Sequence, residues 1–329
     1  MNTTTKTLFA GIACALALVA GLAHAQYPER PVKLVVPYTP GGSADILART
    51  LATELGKEIG QSVVVENRPG ANTQIAATAV ARAPADGYTV LLASSASMVL
   101  NPLLYSKMNY VPEKDLRLLN VVAEAPLVVV VNDKVPAQNL RDFAAHAKAN
   151  AGRLNYSSVG LGNPLQLATE MLKSELQIDV THVPYNGSAP AIAALLSNDT
   201  QLMVDVVSTS LPHIRTGKLR ALAVTGSERA KSLPDVPTVA ESGFPGFHAA
   251  TWFGAAVPAG TPAAVATRLQ SAIDKVMMNP QFRNVLDAQS LMAQSPRTDE
   301  QLNQYIGRDR SSWGKVIRTH NIKLEAAGT

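Results

Sequence analysis

Val32-Lys33-Leu34-Val35-Val36-Pro37-Tyr38-Thr39-Pro40-Gly41-Gly42-Ser43-Ala44-Asp45 is the stretch that decides the fold. A short aliphatic run reads as a buried strand and a Pro/Gly turn follows. Ile46, Leu47, Leu51, Leu55 and Ile59 then recur at helical spacing up to Gly60. Strand, tight turn and helix make half of a βαβ unit, and the pattern repeats along the chain. Strands are expected at 62–66, 89–93, 127–131, 154–157, 180–183, 201–206 and 220–224, with helices at 73–83, 139–149, 164–176 and 188–197 between them. A Pro-rich connection at 233–245, a strand at 252–257 and helices near 262–278 and 299–318 complete the reading. The class is α/β, with parallel strands joined by crossover helices.

The composition permits a large core: 47% of the 329 residues are hydrophobic and 16% charged. The length fits two domains. We expect a second domain at 125–223, inserted into a first made of 26–124 plus 224–329, with connections near 123–126 and 224–226 acting as a hinge. Nucleic acid is not an expected partner, because the formal charge is only +4, the basic residues are scattered and aromatics are 5%.

Lys6, an uncharged apolar stretch from Leu8 to Ala23, and Ala23-His24-Ala25 read as an export signal over residues 1–25, with the mature chain starting at Gln26. The apolar stretch is too short to span a membrane. Cys14, the single cysteine, lies inside it; a lipoprotein reading of Ala13-Cys14 is disfavoured by the stronger downstream cleavage site. The mature chain then has no thiol, so disulfides and cysteine chemistry are excluded.

In parallel α/β sheets, ligands bind beyond the carboxyl ends of the strands. At that edge the sequence places Gly42, Ser43, Ala44 and Asp45 after the first strand, and Ser94-Ser95-Ala96-Ser97 after the third. Ser158 to Pro164 (with Gly160, Gly162 and Asn163), Pro184-Tyr185-Asn186-Gly187-Ser188, and Asp205 with Ser208-Thr209-Ser210 follow. Gly42 allows close backbone approach, and Ser43 opens a helix whose free N–H groups and dipole suit an anion. Singly, such loops are ordinary turn chemistry; together they describe a cleft of amides and neutral hydroxyls for a small carboxylate. Asp45 and Asp205 read as structural or ligand-orienting carboxylates rather than an acid–base pair. Tyr38 and Tyr185 serve equally as cleft walls or edge packing.

Competing chemistries lack their motifs. Neither nucleotide-binding glycine fingerprint is met. The histidines His146, His182, His213, His248 and His320 form no metal-ligand spacing, so no metal or cofactor is expected. Ser312-Trp313-Gly314-Lys315 matches S-x-x-K, but it lies after the only K-T-G-like tripeptide, Arg215-Thr216-Gly217, which reverses the order of that enzyme class.

Tyr27-Pro28-x-Arg30-Pro31, Pro37-Tyr38-x-Pro40-Gly41-Gly42-x-x-Asp45, Glu66-Asn67-Arg68-Pro69-Gly70-Ala71, Ala85-Asp86-Gly87-Tyr88-Thr89 and Asn101-Pro102-x-Leu104-Tyr105 resemble the tripartite tricarboxylate transporter receptors, also called Bug receptors. His182-Val183-Pro184-Tyr185-x-Gly187, Gly217-Lys218-Leu219-Arg220, Leu233-Pro234-Asp235-Val236-Pro237-Thr238 and Pro258-Ala259-Gly260-Thr261-Pro262 continue the resemblance in family order. It implies a type II-like, two-lobed periplasmic binding protein: two Rossmann-like domains joined by a two-connection hinge, without catalysis. The protein would be a monomer that captures a small carboxylate and delivers it to one small and one large membrane subunit. By motif, the resemblance points to Tyr38, Ser43, Ala44 and Asp45 on one lobe and Gly160, Gly162, Tyr185, Asn186 and Asp205 on the other, with Ser94 and Asn163 added by position. The chain departs from the pattern at Asn72-Thr73, Gln166 and Asn186. Aliphatic dicarboxylates, acidic amino acids and aromatic carboxylates all remain open as ligands. A periplasmic hydrolase and a sensor-presenting binding module are the alternative functions.

Overall fold

The computed structural model describes residues 27–319 and 322. The export signal, Cys14 and His320 lie outside the described residues. In chain order the elements are β1 (Val32–Val36), α1 (Ser43–Ile59), β2 (Val63–Asn67), α2 (Gln74–Ala81), β3 (Thr89–Ser94), β4 (Leu116–Asn132), α3 (Leu140–Ala149) and β5 (Asn155–Ser158). There follow α4 (Pro164–Leu176), β6 (Thr181–Pro184), α5 (Ser188–Ser197), β7 (Leu202–Val206), α6 (Val207–Arg215), β8 (Leu219–Val224), β9 (Ala250–Pro258), α7 (Ala263–Met278), α8 (Pro280–Ala288), β10 (Met292–Ala293) and α9 (Asp299–Thr319). A π-helical turn, Ala96–Leu100, and short helices at Asn101–Leu104 and Pro112–Asp115 link β3 to β4.

The strands form one curled path, β2-β1-β3-β9-β4-β7-β5-β6, with β8 and β10 also paired to β4. Its two arms are the cores of two lobes. β1 pairs in parallel with β2 and β3, and β5 with β6 and β7, as βαβ units require. The strands meeting at the centre are antiparallel: β3 with β9, β9 with β4, and β4 with β7 and β8. The sheet is therefore mixed, whereas the sequence pattern pointed to parallel pairing throughout.

β4 is common to both lobes. Residues 116–126 pair with β9, and from Leu127 onward the same strand pairs with β7 and β8. Val128 to Val131 are fully buried, the burial expected for an unbroken apolar run with no polar face. The chain crosses a second time at Thr225, whose N–H donates to Leu127 O (3.1 Å) and whose hydroxyl donates to Ala249 O (2.6 Å). Residues 226–248 leave and return at that point. Val239 N–H donates to Val224 O (2.9 Å) and Thr238 bridges Val224, so this excursion rides on β8; a boundary at 224 assigns it to the other lobe.

α1 buries Leu47, Leu51, Leu55 and Ile59 against the sheet and ends at Gly60, whose φ of 73° closes the helix with an N–H bond to Gly56 O. Its first intrahelical bond is Ile46 N–H to Gly42 O (3.0 Å). The N–H groups of Ser43, Ala44 and Asp45 thus stand free of the helix ladder.

Candidate functional site

The loops after β1, β5, β6 and β7 converge where the lobes meet. They enclose a cavity of about 20 Å³, lined from one side by Tyr38, Thr39, Gly42, Ser43 and Ala44 and from the other by Val159, Asn163, Leu165, Ser188 and Val206; Thr251 and Phe253 of β9 form its back. Among the described residues, none that lines it is charged. That volume holds about one water. A wider hollow of about 690 Å³ between α1 and β2 is open to solvent and shares no lining residue with this cavity.

The β1–α1 loop is held by Asp45. Its carboxylate accepts from Gly41 N–H (3.0 Å), from Arg49 Nε and Nη2 (2.9 and 3.0 Å) and from Asn67 Nδ2 (2.9 Å), and the same Asn67 amide donates to Tyr38 O (3.0 Å). Burial works against the charge, but Arg49, the Gly41 amide and Asn67 together hold the carboxyl below its usual range. Asp45 is therefore occupied in fixing the loop and turns no free oxygen to a ligand. Gly41 takes the left-handed φ of 84°, whereas Gly42 is extended at φ −83°, ψ 171°. The conformational demand for glycine thus falls on Gly41, and Gly42 supplies only the absence of a side chain.

Tyr38 donates to Ser94 Oγ (3.1 Å) and packs edge-on to Phe253, with ring centroids 6.1 Å apart. Burial pushes its hydroxyl up to about 12, with Ser94 and Asn163 pulling the other way, so it stays a neutral donor. Ser94 stands behind Tyr38, and the Ser94–Ser97 stretch, read as a loop, runs into the π-helical turn, where Ser97 Oγ accepts from Ser94 N–H (3.0 Å).

On the opposite lobe, Gly160 and Gly162 adopt φ of 131° and 73°. Ser158 Oγ accepts from Gly160 N–H (3.2 Å) and lies 2.6 Å from His182 Nε2; Gln166 Oε1 accepts from Gly162 N–H (3.1 Å). Asn163, which lines the cavity, caps α4 by accepting from Leu165 N–H (3.1 Å). Asp205 is fully buried and accepts from Ser188 (3.0 Å), Thr209 (2.5 Å) and Ser210 (2.9 Å). Burial raises its pKa, and those three hydroxyls and the Val206 amide offset part of the rise. It acts through Ser188, which it orients at the cavity wall. Tyr185 is half-buried and Asn186 exposed, and neither lines the cavity.

Two residues that the sequence reading passed over stand out. Thr39 Oγ1 is buried with no hydrogen-bond partner among the described residues and belongs to a residue that lines the cavity. Gly187, at φ 139°, meets Thr39 across the cleft so closely that a Cβ there would lie 2.2 Å from Thr39 Oγ1. Thr39 was visible inside the decisive loop. The Gly187 contact depends on how the two lobes pack against each other, which no local pattern encodes.

A model of the tripartite tricarboxylate transporter family receptor matches residues 47–322. Protein BugT of Bordetella pertussis is 36% identical over 329 residues, covering 99% of this chain and 100% of BugT. Among solved structures, Rpa4515 of R. palustris with adipate superposes with a TM-score of 0.87 at 33% identity, covering 91% of this chain and 100% of that one. MatC from Rhodopseudomonas palustris with bound malate gives 0.82 at 31%, covering 88% and 100%. Likeness of this extent, over both lobes and the strands that join them, makes the chain a member of the tripartite tricarboxylate transporter receptor family, whose members bind solutes and are not enzymes.

Proposed function

We propose that this receptor is exported to the periplasm, captures a small carboxylate between its lobes and hands it to a membrane transporter built of one small and one large subunit. The observation that carries the reading is the neutral, two-sided cavity. Free amides of Ser43 and Ala44 and the Thr39 hydroxyl, which has no partner among the described residues, converge there with Asn163. Such donors hold a carboxylate without a buried cation, and the helix dipole of α1 adds to them. Val159, Leu165, Val206 and Phe253 offer an apolar stretch for a short carbon chain. Adipate and malate bound to the structural relatives make aliphatic dicarboxylates the first class to test.

Donors from both lobes reach one solute only in the closed form, so binding favours closure about the crossings at 125–127 and at Thr225. A thermal-shift screen of the mature chain against aliphatic mono- and dicarboxylates, acidic amino acids and aromatic carboxylates tests the reading. A ligand at 100-fold its Kd adds about 2.7 kcal/mol of stability. Stabilisation by no carboxylate, or equal stabilisation by the corresponding amides, overturns it.

A further inference from the structure

Asn186-Gly187 is the only Asn-Gly step in the 329 residues. In such a step the backbone nitrogen after the asparagine can attack the side-chain Cγ, and glycine, having no Cβ, shields that nitrogen least. Whether a fold permits the attack depends on what holds the two residues. Tyr185 N–H is fixed to Ser158 O (2.9 Å), and the first bond of α5 runs from Ala191 N–H to Gly187 O (3.4 Å). Between those anchors, among the described residues, neither the Asn186 side chain nor the Gly187 N–H makes a hydrogen bond. Asn186 is also exposed, so water reaches it.

The one Asp-Gly step, Asp86-Gly87, shows the contrast. Asp86 accepts from Tyr88 N–H (3.0 Å) and from Arg30 Nη2 (2.9 Å), and Gly87 O accepts from the Tyr27 hydroxyl (2.6 Å). That step is tied down and the step at 186 is loose. The cleft also keeps the reactive sequence in place. A Cβ at 187 would lie 2.2 Å from Thr39 Oγ1, so packing between the lobes demands glycine at the position that makes the asparagine labile.

We propose that Asn186-Gly187 is a site of spontaneous deamidation in the folded receptor, and that the change damages the cleft. Gly187 N bonds to Asn186 Cγ, the Cγ–Nδ2 bond breaks, and ammonia leaves carrying the proton from Gly187 N. The product is a cyclic imide, which water opens; nothing is oxidised or reduced. Opening at Cγ gives aspartate on an unaltered main chain. Opening at the α-carbonyl gives isoaspartate, whose main chain runs through Cβ and is one methylene longer. Either product puts a carboxylate on the loop that carries Ser188 to the cavity wall, and the longer main chain shifts Gly187 from its place against Thr39.

The folded mature protein is held in warm, mildly alkaline buffer and followed by peptide mapping, beside the same protein unfolded in urea. Conversion at 186 in the folded protein should run at least about tenfold faster than at any other asparagine or at Asp86. Asn186→Gln, whose longer side chain would have to close a larger ring, should show none at that position. Conversion at 186 in urea but not in the folded protein, or conversion no faster than at the other asparagines, overturns the proposal. This arm needs no ligand, so its failure is distinct from failure of the carboxylate reading. The second arm rests on that reading and titrates the aged protein with the carboxylate found by thermal shift. The converted fraction should bind at least about tenfold more weakly, and Asn186→Gln should keep its own starting Kd through the same ageing. A converted fraction that binds as tightly as fresh protein overturns the effect on the cleft.

Discussion

Replacing Gly187 with Ala tests whether contact between the lobes sets ligand affinity. The new Cβ would stand 2.2 Å from Thr39 Oγ1 and 3.4 Å from Thr39 Cβ, so the first contact is more than about 1 Å inside van der Waals distance. Relieving it means backing the lobes apart or forcing Thr39 off its rotamer, at a cost of about 1–3 kcal/mol. The φ of 139° at Gly187 adds backbone strain of about 1–2 kcal/mol. That strain does not involve Thr39, so it is equally present on a Thr39→Ala background and cancels in the comparison. The Thr39 clash acts between the two sides of the cleft, and it should therefore raise the Kd for a carboxylate by about 5- to 150-fold. Thr39→Ala removes the nearest atom and leaves Cβ at 3.4 Å. On that background Gly187→Ala should cost little further affinity, whatever Thr39→Ala costs alone. Calorimetric titration of the four proteins with the carboxylate found by thermal shift measures the coupling. Additive losses, or an unchanged Kd in Gly187→Ala, would refute the argument that these two residues meet on closure.

Thr39→Val removes the orphaned hydroxyl at constant shape. It should leave the unliganded protein as stable as before or slightly more so while weakening carboxylate binding about tenfold, as melting and titration will show. Gly41→Ala should lower stability by about 1–2 kcal/mol in urea denaturation because of its left-handed φ. Gly42→Ala, whose Cβ comes no closer than 3.9 Å to Ser188 Cβ or Thr39 O, should stay within about 0.5 kcal/mol. Gly42→Val adds bulk at the cavity wall and should cost about tenfold or more in affinity. His182 is drawn down to about 4 by burial and by Lys173, with Glu170 pulling the other way. Its unfolded value near 6.5 means that the stability it contributes is present above pH 6.5 and lost as pH falls towards 4. His182→Asn should flatten that acid limb of the urea midpoint, and parallel curves for the two proteins through this window would count against it.

Most elements were legible because their apolar spacing is regular. α4 spans 164–176 and α5 188–197, the ranges the sequence pattern gave. β4 shows why others were not. Only 127–131 reads as a strand; Arg117, Asn120 and Glu124 break the pattern upstream, and their polarity is answered by tertiary partners. Asn120 donates to Asp274 (2.9 Å) and Glu124 accepts from Tyr305 (3.0 Å). α8 was absent from the reading because its buried face rests on only Phe282 and Leu286. At the site, the glycines and hydroxyls of the converging loops could be named, since turn chemistry is local. Thr251, Phe253 and Val206 could not, because they reach the cavity only through the antiparallel pairings at the centre of the sheet.

β4 also bears on what can be cut from this molecule. Its first eleven residues pair with β9 and its last six with β7 and β8, yet they are one strand. A gene fragment encoding either lobe alone would carry a strand half whose partners remain on the other fragment, or would leave a bare sheet edge primed for aggregation. The lobes share one strand and are inherited as one, so recombination between relatives should succeed by exchanging the cleft loops and fail by exchanging lobes.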